Sequence, residues 1–243
     1  MMTNNLKIQP SKNQMKILSN KQNLQVLYED NHIIAINKRV GDIVQGDKTG
    51  DKPLSDVVKE YIKEKYNKPG DVFLGVVHRL DRPTTGIVIF ARTTKALTRL
   101  NDLFKNRETQ KTYWAVVKNK PSKNNDTLIH YLKRNEKSNI SKAHIKEVPD
   151  SKLASLEFTI IKELNNYTAL EINLHTGRHH QIRSQLSAIG SPIKGDLKYG
   201  FDRSNPDGGI HLHARKLFFV HPVTKENLTI TAPVPEDVIW KAI

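Results

Sequence analysis

The sequence predicts an α+β fold built on a long, mostly antiparallel β-sheet flanked by helices. Three observations carry that reading. Alternating or densely apolar runs outnumber helical periods. Many of those runs follow one another directly, as antiparallel strands do, instead of being separated by crossover helices. The 243 residues contain 37% apolar side chains, with 12 Gly and 11 Pro, and no repeat or linker is visible after residue 24. That length suits one large domain.

Residues 1–24 are polar and rich in Asn, Gln and Lys, and they read as a flexible N-terminal arm ahead of a single domain spanning 25–243. Structure is expected to begin at Val26-Leu27-Tyr28, turn at Glu29-Asp30-Asn31, and continue as a buried strand through Ile33–Ile36. Gly41, Gly46 and Gly50 then mark a long polar loop. Pro53 suits the first turn of a helix whose apolar face is Leu54, Val57, Val58, Tyr61 and Ile62. Phe73–Val77 and Gly86–Ala91 read as strands joined by a polar connection, His78 to Thr85. Thr93 or Thr94 can cap a second helix with Ala96, Leu97, Leu100, Leu103 and Phe104 inside.

Lys111–Val117 reads as a strand, and Thr127–Leu132, Ser155–Ile161 and Tyr167–Leu174 continue the sheet. Helical spacing returns at Ile182, Leu186 and Ile189, with Gly190 as the stop. Ile210–Val220 and Asn227–Ala232 are late strands, and Pro235 opens a short last helix carrying Val238, Ile239 and Trp240.

Composition narrows the function classes. Cysteine is absent, which removes disulfide scaffolds, thiol catalysis and Cys-based zinc sites. No apolar run approaches the roughly 18 residues of a membrane span, and no apolar signal segment opens the chain. A cytoplasmic home fits these features. Basic side chains number 39 and acidic ones 25, a net charge of +14. A field of that sign attracts polyanions, of which nucleic acid is the commonest in the cytoplasm.

Three segments carry possible chemistry. His78-Arg79-Leu80-Asp81 lies in the connection between two strands, a position that favours functional groups; alone, it also fits an ordinary turn. Arg178-His179-His180-Gln181-Ile182-Arg183 opens a helix, with Arg183 beside the buried face. A guanidinium there needs a carboxylate, for which Asp81 is a candidate, or must reach solvent along its stem. Tyr113 sits mid-strand, and His211 and His213 alternate on another strand without the further ligands a metal site requires. No phosphate-binding glycine fingerprint and no Gly-x-Ser-x-Gly elbow is present.

Taken together, these segments resemble the RluA-like family of RNA pseudouridine synthases. The matching elements are Tyr28–His32 and Lys38, then His78–Gly86, Lys111-Thr112-Tyr113 and Gly177–Arg183. They continue through Gly195-Asp196, Tyr199-Gly200, Leu212-His213-Ala214 and His221-Pro222, in the family's order. Thr85 and Arg39 stand where relatives often have Ser and Pro, and neither is a proposed reactive group.

The resemblance implies a catalytic cleft across the sheet and isomerisation of uridine in transfer or ribosomal RNA, with no cofactor and no metal. Asp81, Tyr113 and Arg183 would be catalytic, with Arg183 orienting Asp81. Arg79 would fill the place of the flipped base, and His78, Arg82, Arg178 and His180 would bind RNA. Relatives often carry a small RNA-binding module ahead of this domain, and 24 polar residues are too few to fold one. The domain is therefore expected to hold RNA mostly by itself, and with no exposed apolar stripe evident in the sequence a monomer is expected. The rivals are a catalytically silent RNA-binding or chaperone protein on the same fold, and a metal-dependent nuclease.

Overall fold

The computed structural model describes residues 17–47 and 49–243. Eleven strands join one sheet: β1 (Val26–Glu29), β2 (Ile33–Lys38), β3 (Gly75–Val76), β4 (Thr85–Ala91), β5 (Gln110–Val117), β6 (Asn125–Asn135), β7 (Ile140–His144), β8 (Lys152–Glu163), β9 (Thr168–Leu174), β10 (Leu212–Val220) and β11 (Asn227–Thr231). The helices are α1 (Leu54–Lys65), α2 (Thr94–Lys105), α3 (Gln181–Ala188) and α4 (Val238–Lys241), with a 3₁₀ turn at Leu197–Tyr199. Spatial order runs β1-β2-β4-β10-β5-β9-β8-β6-β7, with β3 beside β4 and β11 beside β10. Among the described residues only β4 and β10 pair in parallel.

The two halves of the sheet are buried differently, and the sequence pattern follows from that. In the first half α1 packs Leu54, Val57, Val58 and Ile62 on one face, against Ile34, Ile36, Val88 and Phe90. On the other face α2 packs Ala96 and Leu100 against Ile33, Ala35, Ile87 and Ile89. Strands covered on both faces must be apolar throughout, and every residue of β2 and β4 is buried. In the second half α3 sets Ile182 and Leu186 against Leu128, Leu156, Phe158, Leu170 and Ile172. Apolar and polar positions alternate there, as in the buried Leu128 and the exposed Ile129.

Several elements depart from the sequence reading. The part of the expected arm spanning residues 1–16 lies outside the described residues. Within 17–24, the Ser19 backbone N–H and hydroxyl both donate to the Asp42 carboxylate, at 2.9 and 2.6 Å, and Leu24 packs on the α1 side of the core. Packed structure therefore starts before Val26. The strand expected at Phe73–Val77 shrinks to two residues. Its ladder reaches only the end of β4, through Gly75↔Ala91 and Val76↔Phe90, and Phe73 is exposed. Strand β7 is a polar edge with one partner, β6, so it gave no apolar signal. The last helix starts at Val238 and not at Pro235: Asp237 caps it by accepting from the Ile239 and Trp240 N–H groups, and Val238 is exposed.

The parallel seam places the loop before β4 at the sheet's centre. It requires glycine at position 86, where φ is +108°. A Cβ there would stand 2.3 Å from the Ala214 carbonyl oxygen and 2.6 Å from its nitrogen. Neither backbone strand can yield without breaking its ladder. Gly86→Ala is therefore expected to destabilise the fold by ~3 kcal/mol or more. Gly70→Ala, where nothing lies within 4 Å of the new Cβ, should cost far less. Urea unfolding midpoints compare the two, and equal midpoints would contradict this account of the seam.

Candidate active site

The loop between β3 and β4 is pinned along its length. The Lys38 ammonium, buried at the end of β2, donates to the carbonyls of Arg39, Arg82 and Thr84 at 3.0, 3.1 and 2.7 Å. Gly41 N–H donates to the same Arg82 carbonyl, and Ile210 N–H to that of Pro83. At the other end His78 accepts the Ile89 N–H on Nε2 at 3.0 Å and stacks on Phe104, with centroids 4.8 Å apart. Burial holds the His78 imidazole down at about 4, so the ring is neutral and able to accept that bond. Arg79 and Asp81 thus project from a fixed backbone.

Helix α3 supplies the opposing cation. Its entry is set by Gln181, whose Oε1 accepts from the Arg178 N–H and the Thr176 hydroxyl while its Nε2 donates to the Ser155 carbonyl. One turn of helix then places Arg183 inside the protein. Its Nε and Nη2 donate to the two oxygens of Asp196 at 2.6 and 2.8 Å, and its Nη1 donates to Asp81 Oδ2 at 3.0 Å. The Tyr199 ring lies against the guanidinium, 4.9 Å from its carbon. Burial disfavours the charged guanidinium, but the Asp196 fork outweighs it and Asp81 adds to the gain, so the net shift is upward. The Arg183 and Asp196 side chains are only 5% and 1% exposed, against 32% for Asp81. The buried ion pair is therefore Arg183–Asp196, and Asp81 is the face that it turns to the cavity.

Arg79, Asp81, Tyr113, Arg178, His180 and Arg183 line one cavity of about 130 Å³. A second, of about 630 Å³, shares several of these residues and adds Phe104, Lys105, Arg107, Lys111 and Arg134. Tyr113 comes from the middle of β5, opposite Ile172 and Ala214. Burial pushes its phenol well up, and the Asp81 charge adds to that, so the hydroxyl keeps its proton. The Lys111 ammonium is held below its usual range by burial and by Arg107. The site therefore offers one carboxylate, one protonated phenol and a rim of cations around a recess.

Six of the eight site residues expected from sequence meet at the smaller cavity. Two do not. His78 does not line the smaller cavity, and its Nε2 is taken by the backbone, which makes it a support for the loop. Arg82 lines neither cavity, because its guanidinium turns away to Asp51 and to the Thr49 hydroxyl. Reasoning from sequence missed the roles of Lys38 and Asp196. A buried lysine at a strand end gives no periodic signal, and Asp196 lies in an irregular loop; their only sign was membership of the matched segments. The paired strand histidines are engaged locally: His213 with Thr85 and the Ala232 carbonyl, His211 with Asn205 and Asp237.

Residues 32–188 match the family described as RNA pseudouridylate synthase. An uncharacterized RNA pseudouridine synthase of Bacillus subtilis, YlyB, is 31% identical over 231 residues, covering 94% of this chain and 75% of that protein. Ribosomal large subunit pseudouridine synthase D of Xylella fastidiosa is 33% identical over 228 residues, covering 88% and 67%. The human RNA pseudouridylate synthase domain containing 4 superposes with a TM-score of 0.75 at 22% identity, over 89% of this chain and 90% of that one.

The division of labour around Arg183 has a consequence for stability. Asp196→Ala strands a buried guanidinium and is expected to cost about 3–5 kcal/mol. Asp81→Ala leaves the fork intact and removes a partly exposed partner, so roughly 1 kcal/mol or less is expected. Denaturant titration of both variants checks the order, and similar losses would show that the two carboxylates share the load.

Proposed function

The chain belongs to the RluA-like family of RNA pseudouridine synthases, and from that membership we propose how its own residues divide the reaction. It isomerises uridine within RNA: the N1–C1′ bond breaks, the uracil turns over, and C5 bonds to C1′. N1 gains a proton and C5 loses one, so the rearrangement balances without an oxidant. The observation that carries the assignment is the Arg183 Nη1–Asp81 Oδ2 bond of 3.0 Å at the mouth of a cavity also lined by Tyr113.

Asp81 is the reacting carboxylate. It is positioned by Arg183 yet remains partly open to the cavity, as a group that must touch the nucleoside requires. Tyr113 lines the same cavity, and its phenol passes its own proton to N1 as it takes up the one that C5 releases, so the transfer balances. The uridine must leave its stack to enter, at a cost of a few kcal/mol. Arg79, exposed at the cavity edge, fills the space left behind by stacking its planar guanidinium. Arg178 in the cavity wall, with Lys105, Arg107 and Arg134 around the larger recess, holds phosphates.

Ribosomal large subunit pseudouridine synthase D of Xylella fastidiosa is among the similar proteins, which makes ribosomal RNA the substrate we favour. Among the described residues no helix is long and apolar enough to cross a membrane. The cytoplasm, where bacteria such as those of the similar proteins make ribosomal RNA, is the proposed place of action.

Release of tritium from C5 of labelled uracil in RNA reads the reaction directly. Asp81→Asn is expected to release none while keeping RNA affinity within a few-fold; turnover near the wild-type rate would remove Asp81 from the chemistry. No release by the unaltered protein on ribosomal or transfer RNA would favour the catalytically silent RNA-binding reading. Tyr113→Phe should bind equally and react ~100-fold more slowly, the range for a lost acid–base group. Equal rates would assign the ring a packing role and the hydroxyl none.

A further inference from the structure

The Asp81 carboxylate has a second neighbour besides Arg183. His180 precedes α3 with φ +50° and ψ 30°, a left-handed conformation uncommon for histidine. That backbone turns the imidazole back toward the loop, and its Nε2 lies 3.5 Å from Asp81 Oδ2. Its Nδ1 lies 2.9 Å from the Tyr199 hydroxyl, and that hydroxyl receives the Ser141 backbone N–H at 2.8 Å.

A backbone N–H only donates, so the Tyr199 oxygen is the acceptor from Ser141. Burial pushes the Tyr199 phenol up to about 12, so it keeps its proton. No acceptor for that proton other than His180 Nδ1 is described. Nδ1 is then an acceptor, and in a neutral imidazole the proton must sit on Nε2, facing Asp81. The opposite tautomer would aim the Nε2 lone pair at a carboxylate oxygen and leave the phenol proton without a partner.

The charged imidazolium is also disfavoured. The groups facing the ring are Asp81 from the loop, Arg183 from α3, the neighbouring His179, and Lys198 and Tyr199 from the 3₁₀ turn. Burial and the two cations outweigh the attraction of Asp81 and hold the imidazole at about 3. His179 stacks on it with centroids 3.8 Å apart and is itself fixed by the Ser141 hydroxyl at 2.8 Å.

We propose that His180 is a positioning residue for Asp81: a neutral Nε2–H donor whose tautomer is set by the Tyr199 hydroxyl and the Ser141 backbone. Arg183 and His180 then hold the carboxylate from two sides, one as a cation and one as a neutral dipole. This assigns His180 away from the RNA-binding role that resemblance suggested. It also ties the edge strand β7, through Ser141, to the reacting group. The inference rests on the reading of Asp81 as the reacting carboxylate.

Two measurements test it, one of which does not depend on activity. Ring nitrogen NMR of the intact protein should show His180 as the Nε2–H tautomer throughout pH 5–8, and Tyr199→Phe should convert it to a mixture. A Nδ1–H or charged ring in the unaltered protein would overturn the proposal. In the tritium-release assay His180→Ala should lose roughly 10- to 100-fold in kcat with KM for RNA unchanged, the scale of a misplaced reacting group. His180→Gln, whose amide nitrogen can occupy the Nε2 position, should recover most of that loss. A rise in KM without a fall in kcat, or equal losses in the two variants, would overturn it too. If the unaltered protein releases no tritium, the functional reading fails while the NMR result still decides the tautomer.

Discussion

A guanidinium buried beneath a sheet has few places to put its five donors, and Arg183 uses both ends of the solution. Asp196 takes the fork and neutralises the charge where no water reaches it. The remaining nitrogen is left to hold Asp81 where the cavity begins. Helix α3, the Leu197–Tyr199 turn and the loop before β4 meet at this one side chain. Moving any of them by an ångström would leave a buried charge without its partner, so the fold and the site share one constraint.

Other parts of the structure make the constraint rigid. The half of the sheet carrying the loop is packed on both faces, by α1 and α2. The loop itself is tied down by Lys38 at one end and His78 at the other. The cation side rests on Gln181, which bonds Thr176 and Arg178 of the turn before α3 to Ser155 on β8. The proposed reactive groups thus come from three separate elements, and the loop and the turn before α3 are held by side-chain bonds to backbone that do not depend on substrate. Preorganisation of this kind matters where a carboxylate must act without reorienting.

Much of this was legible in the residues. Strands β2 and β4 announce themselves as unbroken apolar runs because both faces are covered. The helices follow from apolar spacing and from stops such as Gly190, which takes φ +78°. What stayed hidden is what depends on distant chain segments. Arg183 could equally have reached solvent; only the loop carrying Asp196 decides the matter, and no local pattern places that loop against α3. The polar edge strand β7 resembles a turn until β6 is beside it. His180 is another such residue. Its type suggests a contact with RNA, and only the Tyr199–Ser141 chain gives its proton the direction we propose, toward a carboxylate.

The account is tested most directly by Arg183→Lys, with single-turnover rate, RNA affinity and unfolding midpoint measured on the same preparation. Lysine keeps the positive charge that Asp196 requires but cannot serve two carboxylates in a planar fork. The expected result is a folded protein that binds RNA normally and turns over at least ~100-fold more slowly, because Asp81 is no longer held. A rate within twofold of the unaltered protein would show that Asp81 needs no guanidinium to position it, and the central claim would fall.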